Sequence, residues 1–267
     1  MTALVRSYRA ELAKLARRRV LALTALVSLL VAVGGAAVVL YAAEPAAEAE
    51  RGRGALPTLE ELAAAGGGTE VFRVVLAFAG TFLFVVVVGA VAAEFSRGTV
   101  RTMLLRQPHR TALLAGKLGA LLTFAAGTLA ATEVLTWVAA RVLAPGADVA
   151  TGAWTGADAL VAGLGDFGAV MLWVTGYAVL GTTVGVLLRS VPVALAVGIA
   201  WAGPVEHILQ DSWDPASRFF PGLLLEAFAA GGTTDVSAGR ALATVAVYVV
   251  AAAAVATTVF SRRDVTS

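Results

Sequence analysis

Six stretches of this chain, Val20 to Tyr41, Val74 to Ala93, Leu118 to Ala140, Phe167 to Leu188, Val191 to Leu209 and Ala241 to Phe260, are almost wholly apolar. Each approaches or exceeds the roughly 18 to 20 residues a helix needs to cross a bilayer. In lipid every backbone N–H and C=O must find a partner within the protein, so only helices or a closed barrel can span. Continuous apolar runs without strict alternation select helices. The expected fold is an all-α integral membrane protein with six transmembrane helices, residues 1–267 forming one transmembrane domain. Of the 267 residues 59% are hydrophobic and 14% charged, which leaves little sequence for a separate soluble catalytic domain. The absence of cysteine excludes disulfides, thiolate metal sites and cysteine nucleophiles.

The cations set an expected orientation. Arg6, Arg9, Lys14, Arg17, Arg18 and Arg19 precede the first span, and Arg97, Arg101, Arg106, Arg110 and Lys117 fall between the second and third. With Arg189, Arg262 and Arg263, fourteen of the twenty Lys and Arg lie on one side, against three of the eighteen acids (Glu11, Glu94 and Asp264). By the positive-inside rule both termini are expected in the cytoplasm. A cleaved signal peptide is the rival account of the N-terminus, but its apolar region covers roughly 7 to 15 residues, and Val20 to Tyr41 is longer.

Residues 1–19 place Leu4, Tyr8, Leu12 and Leu15 on one helical face, as in an amphipathic helix lying in the headgroup plane. The other reading is that Arg17 to Arg19 simply anchor the first span. The outer loop, residues 42–73, begins acidic and rich in Ala and Gly, and then shows a capping-box spacing between Thr58 and Glu61. Gly66, Gly67 and Gly68 are expected to end that short helix and give slack before the second span. The loop serves either as a gate or recognition element or as a solvated connector.

The segment from Glu94 to Lys117, EFSRGTVRTMLLRQPHRTALLAGK, carries five Lys and Arg and one acid between two spans. Arg97 and Arg101, then Arg106 and Arg110, are spaced i, i+4, with Val100, Met103 and Leu104 between them. Pro108 should interrupt a helix and Thr111 start the next. This predicts a short interfacial helix from about Phe95 to Leu105, a turn at Gln107-Pro108-His109 and re-entry into the membrane. The plain alternative is that these arginines only contact lipid phosphates.

The order Glu94-Phe95-Ser96-Arg97-Gly98-Thr99-Val100-Arg101-Thr102, followed by two leucines, a proline, Arg-Thr and Gly116-Lys117, resembles the bacterial type-two ATP-binding-cassette (ABC) export permeases. The resemblance implies that residues 94–112 contain a cytoplasmic coupling helix that docks on a separate ATPase. Arg97, Arg101 and Arg106 would pair with its acids, Phe95 and Met103 would make apolar contacts, and Gly98 and Pro108 would set the shape. Glu94, Thr99 and Arg110 complete the segment. It further implies a multi-pass protein of the bacterial cell membrane, partnered by membrane lipids, by cytosolic ABC ATPase subunits and by a second permease copy or a homologous permease, with no nucleic-acid partner. It also implies a re-entrant element within the outer loop 210–240, where Phe219, Phe220 and Leu223 to Leu225 would enter the outer leaflet while Arg218 and Glu226 stay wet.

No G-x-x-x-x-G-K-[ST] occurs, so the chain is expected to hold no cofactor of its own, ATP and magnesium belonging to the partner ATPase. The expected function is a non-enzymatic permease subunit of an exporter for an amphipathic, drug-, peptide- or lipid-like cargo. The alternatives are a secondary transporter or a sensory or immunity membrane protein acting without an ATPase.

Other strings are weaker. Gly163-Leu164-Gly165-Asp166 matches the G-x-G-D of intramembrane aspartyl proteases, but that chemistry needs a second carboxylate, and the other aspartates fall in loops or the tail. Asp166 instead suits the start of the fourth span. Glu206-His207 falls short of a metal site, since H-E-x-x-H is absent. Glu133, inside the third span, lies roughly 24 Å beyond Lys117 at about 1.5 Å per residue, near the outer boundary. An intramembrane acid there is either a proton relay or substrate contact, or a group hydrated from outside. Gly181 and Gly185 give small-xxx-small spacing, expected to pack within the subunit.

Overall fold

The computed structural model describes residues 2–49, 56–229 and 231–262. These form helices almost throughout: α1 (Ala3–Leu15), α2 (Arg18–Tyr41), α3 (Leu59–Ala63), α4 (Gly67–Ser96), α5 (Thr99–Arg106), α6 (Arg110–Leu143), α7 (Ala157–Leu188), α8 (Val191–Ala200), α9 (Glu206–Ser212), α10 (Pro221–Ala229) and α11 (Ala238–Arg262), with a one-turn helix at Ala46–Ala49. Among the described residues strand-type pairing is limited to one isolated bridge, Gly232 to Ser237. Arg263 and Asp264 of the expected topology lie outside the described residues.

Among the described residues four helices are long and apolar enough to cross a membrane: Arg18–Tyr41, Arg110–Ala147, Ala157–Leu188 and Ala238–Arg262. A fifth is reached if Leu83–Ser96 and Thr99–Arg106, bent by 74°, count as one span. Only 11% of the most apolar window of α11 is buried, and Val247 and Val250 are largely exposed. Apolar surface on that scale is stable only against lipid or another apolar partner.

The fifth expected stretch, Val191 to Leu209, departs from expectation. It is not one helix: α8 ends after ten residues, and a π turn at Trp201–Val205 joins it to the seven-residue α9. Pro204 lies inside the turn. It has no N–H to donate and its ring crowds the preceding turn, which the wider π geometry absorbs.

The chain divides into two compact units, and α4, α6 and α7 contribute to both. One unit comprises Met1–Ala16, Ala79–Phe124 and Leu172–Ser267. Its core gathers Val87, Val91, Val100, Leu113, Val186 and Phe260. The seam of small residues lies here: a Cβ on Gly185 would come within 2.7 Å of Val91, and one on Gly181 within 3.2 Å of Val87 and of the Phe84 carbonyl. The two glycines thus let α7 pack closely on α4.

The other unit comprises Arg17–Phe78 and Ala125–Met171. Its core sets Leu40, Leu62, Val71, Ala140 and Trp154 together. Both halves of the expected capping box are present: the Thr58 hydroxyl accepts from the Glu61 N–H at 3.2 Å, and the Glu61 carboxylate accepts from the Thr58 N–H at 2.8 Å. The glycine triplet does not act as slack. Gly67 opens α4 directly, its Cα so close to the Leu62 carbonyl that a Cβ would fall 1.8 Å from that oxygen.

Candidate functional site

The cationic segment turns on one residue. Gly98 adopts φ 66°, a left-handed conformation that residues with a Cβ take at a cost, and it swings α5 out of line with α4 by 74°. The helix therefore begins at Thr99, about one turn later than a start at Phe95 would place it, and Phe95 and Ser96 complete α4. Gln107, in a non-helical conformation, ends α5, and Arg110 opens α6.

The two faces of α5 differ sharply. Val100 is 3% exposed and packs with Val91, Leu113 and Phe260, with Met103 and Leu104 half-buried beside it. Arg97, Arg101, Thr102 and Arg106 are exposed, and Leu105 is 82% exposed among them. Among the described residues no acid pairs with Arg97, Arg101 or Arg106. Glu94, Phe95 and Arg110, by contrast, face the packing beneath. Phe95 meets Phe260 edge-on at 5.9 Å and lies under the Arg189 guanidinium at 5.1 Å, and Arg110 donates to the Phe260 carbonyl at 3.1 Å. Thr99 and Pro108 are exposed at the two ends of α5.

Glu94 belongs to a charge cluster that seats the N-terminal helix. Lys117 bonds to Glu94 and reaches Glu11 at 3.4 Å, and Lys14 closes on Glu11 at 2.6 Å. The buried residues of α1 are Ser7 and Glu11, not its apolar row, and Leu4 is 47% exposed. Gly116 permits the contact: a Cβ there would lie 2.6 Å from that of Ser7 and 2.8 Å from the Tyr8 nitrogen. The Tyr8 hydroxyl bonds to Thr123 at 3.1 Å.

Burial pushes the Glu11 carboxyl up, but Lys14 and Lys117 together outweigh it and hold it below its ordinary 4.5. A depressed carboxylate contributes stability that is fully present above its unfolded value and is lost as pH falls through the folded one. Docking of α1 should therefore be complete at neutral pH and loosen below about pH 4.5. A spin-label pair on the exposed positions Ala10 and Ala115, introduced as cysteines into a chain that has none, should show a narrow distance distribution at pH 7 that broadens in acid. In Glu11→Gln it should be broad already at pH 7. A narrow, pH-independent distribution in that variant would remove Glu11 as the clamp.

A second polar cluster lies within α4, α6 and α7. Arg73 bonds to Glu70 and reaches Asp166 at 3.5 Å, and the Thr69 hydroxyl donates to Asp166 at 2.8 Å. Asp166 is thus well inside α7, which starts at Ala157, and does not open it. Glu133 approaches Gly163, one turn before Asp166, and borders a cavity of about 590 Å³ together with Thr69, Trp137, Trp154 and Phe167.

Around α10 the expected lipid-facing residues separate. Leu223, Leu224 and Leu225 are buried, at most 3% exposed, and a Cβ on Gly176 would lie 2.7 Å from Leu225. Phe219 is 52% exposed and stacks on Trp213 at 5.8 Å, while Phe220 stands edge-on to Trp213 and Trp201. Glu226, its side chain 34% exposed, faces His207 at 3.5 Å.

The family described as "Protein of unknown function (DUF2705)" matches residues 55–266, most of the chain. This chain belongs to that family. No curated protein and no solved structure matches it. The DUF2705 region takes in α3 to α11 and so includes α5, the Arg73, Glu133 and Asp166 group and α10. Two features of this DUF2705 chain escape a reading by composition. The Glu11–Lys117–Glu94 clamp joins positions up to 106 residues apart, signalled only by an acid among the cations of α1. The buried Glu206 is signalled only by an acid in an apolar run beside Gly203 and Pro204.

Proposed function

We propose that this chain is the permease subunit of an ATP-driven ABC exporter of the bacterial cell membrane, with six spans, both termini in the cytoplasm and ATP hydrolysed by a separate cytosolic subunit. The observation that carries the reading is the split character of α5. A short helix, bent 74° from α4, is seated by Val100 and its neighbours and presents Arg97, Arg101, Leu105 and Arg106 outward. Clusters of one sign with no acidic partner among the described residues suit a complementary acidic surface, and an exposed leucine among them suits an apolar contact at its centre. Lipid phosphates would satisfy the arginines, yet an 82% exposed Leu105 in the last turn of α5 also suits a protein socket. The clamp on α1 ties the N-terminal helix to the foot of α6, next to the same surface.

The cargo on this reading is amphipathic, and two copies, or this chain with a similar one, complete the pore. A second reading, a secondary transporter working alone, is favoured by the Glu133, Asp166 and Arg73 group, because ionisable residues inside spanning helices are the usual machinery of ion coupling.

The deciding experiment is an affinity purification of the full chain from its native membrane in mild detergent, with mass spectrometry of what accompanies it. The exporter reading expects a stoichiometric protein carrying a P-loop and an ABC signature. Reproducible recovery of folded chain without such a protein would overturn it and bring the secondary transporter forward.

A further inference from the structure

The π turn builds an enclosed carboxylate. Glu206 is 2% exposed, and the turn at Trp201–Val205 sets it directly behind the N-terminus of α10, where its Oε2 accepts from the Leu223 N–H at 3.0 Å and faces the Gly222 N–H as well. The approach is close enough that a Cβ on Gly222 would fall 2.3 Å from the same oxygen. The other oxygen, Oε1, is buried and accepts no hydrogen bond, although the Trp201 indole stands against the carboxyl group. Among the described residues no Lys or Arg reaches Glu206, and His207 is turned to Glu226.

This carboxyl group borders a cavity of about 190 Å³ whose walls include Phe84, Tyr177 and Trp201. Phe84 and Tyr177 stand 5.6 Å apart, their planes inclined at 58°, and Trp201, 41% exposed, forms the rim. Three aromatic faces around one buried carboxylate make an environment of a particular sign. Ring faces attract a cation, most strongly when it is desolvated, and such cages are the usual recognition device for quaternary ammonium groups. A water molecule needs two to four polar partners, and the cavity walls are apolar apart from Glu206 and the Tyr177 and Thr183 hydroxyls. The Thr183 hydroxyl is already committed to the Val179 and Ala252 carbonyls. The α10 amides and helix dipole offset part of the cost of ionising so deeply buried a carboxyl group, and a cation beside it would supply the counter-charge that the described residues around it do not.

We propose that the cavity under the π turn is a binding site for an apolar organic cation, a substituted ammonium whose head enters the aromatic walls beside Glu206 and whose apolar remainder passes Trp201 toward Phe220. The volume slightly exceeds the roughly 150 Å³ that admits benzene in an engineered cavity, the size of one ring or one tetraalkylammonium head. As a cargo site it rests on the exporter reading; as a binding site it stands without it.

The test uses the full chain in lipid nanodiscs, with benzyltrimethylammonium as the probe and its uncharged carbon isostere as competitor. Saturable binding of one cation per chain is expected, with the isostere displacing it only at tenfold or higher concentration. Glu206→Gln keeps an acceptor for the Leu223 N–H and should weaken binding roughly tenfold or more through loss of the charge. Trp201→Ala should weaken it roughly 2- to 30-fold. Equal competition by the neutral isostere, or unchanged affinity in a Glu206→Gln chain with unaltered melting, would overturn the proposal. The competition on the unsubstituted chain decides the matter even if the variant fails to fold. No ATPase is present in this measurement, so its failure leaves the exporter reading standing, and absence of an ATPase from native membranes leaves this site standing.

Discussion

On the exporter reading, a chain carrying both Arg97→Glu and Arg101→Glu is expected to insert and fold normally, yet to bind the proposed partner ATPase roughly 100-fold more weakly or worse and to lose transport-coupled ATP hydrolysis. The two side chains are exposed and paired with no acid among the described residues, so their reversal removes no internal contact. The apolar face that seats α5, Val100 with Met103 and Leu104, is untouched. Glutamate is a good helix former, and an acid at position 101 sits in the first turn of α5, where the helix dipole favours it. At a partner's acidic surface, however, each reversal trades attraction for repulsion, and like charges facing one another across an interface cost several kcal/mol. The contrast is Arg110→Ala. It removes the donor to the Phe260 carbonyl and should lower the melting temperature while leaving coupling in proportion to the folded fraction. ATPase rates in proteoliposomes, measured with and without cargo beside the yield of co-purified ATPase, separate the two outcomes. Unchanged coupling in the double reversal would remove α5 as the docking element.

What the sequence discloses of this arrangement follows from the range of the forces involved. The helices α2, α6, α7 and α11 are legible because lipid imposes the same demand on every residue of a span, which hydropathy alone reports. The capping box at Thr58 and Glu61 is legible because its chemistry is complete within four residues. The break at Pro204 was visible in principle, but the apolarity of Val191 to Leu209 outweighs a single proline when only hydropathy is read, and the π turn depends on how the neighbouring carbonyls are re-paired. The positions of Glu94 and Phe95 were harder still. Both fall in the cationic segment by sequence, and only the left-handed Gly98 assigns them to the buried end of α4 instead of the exposed helix. Glu206 and its aromatic walls could not be found by spacing at all, since Phe84, Tyr177 and Trp201 come from three different helical segments.

The glycine triplet shows the same limit at a point where the expected effect is large. Gly66, Gly67 and Gly68 look like a flexible hinge, but Gly67 is where the backbone of α4 meets the carbonyl of Leu62, and that carbonyl accepts the buried Trp154 indole N–H at 2.8 Å. Gly67→Ala must displace one backbone segment or the other, because a Cβ 1.8 Å from an oxygen cannot be relieved by rotating a flexible side chain. The shift carries two costs: overpacking, about 1 to 3 kcal/mol, and the indole N–H of a tryptophan only 2% exposed left without its acceptor, about 1 to 3 kcal/mol more. A loss of roughly 2 to 6 kcal/mol is therefore expected, read as a lower melting temperature in detergent and a red-shifted Trp154 emission in a chain where the other tryptophans are replaced. Gly152→Ala, with nothing within 4 Å of its Cβ, should change stability by no more than about 0.5 kcal/mol. If Gly67→Ala melts with the unsubstituted chain, the triplet is slack after all, and the Trp154 to Leu62 bond does not hold the start of α4.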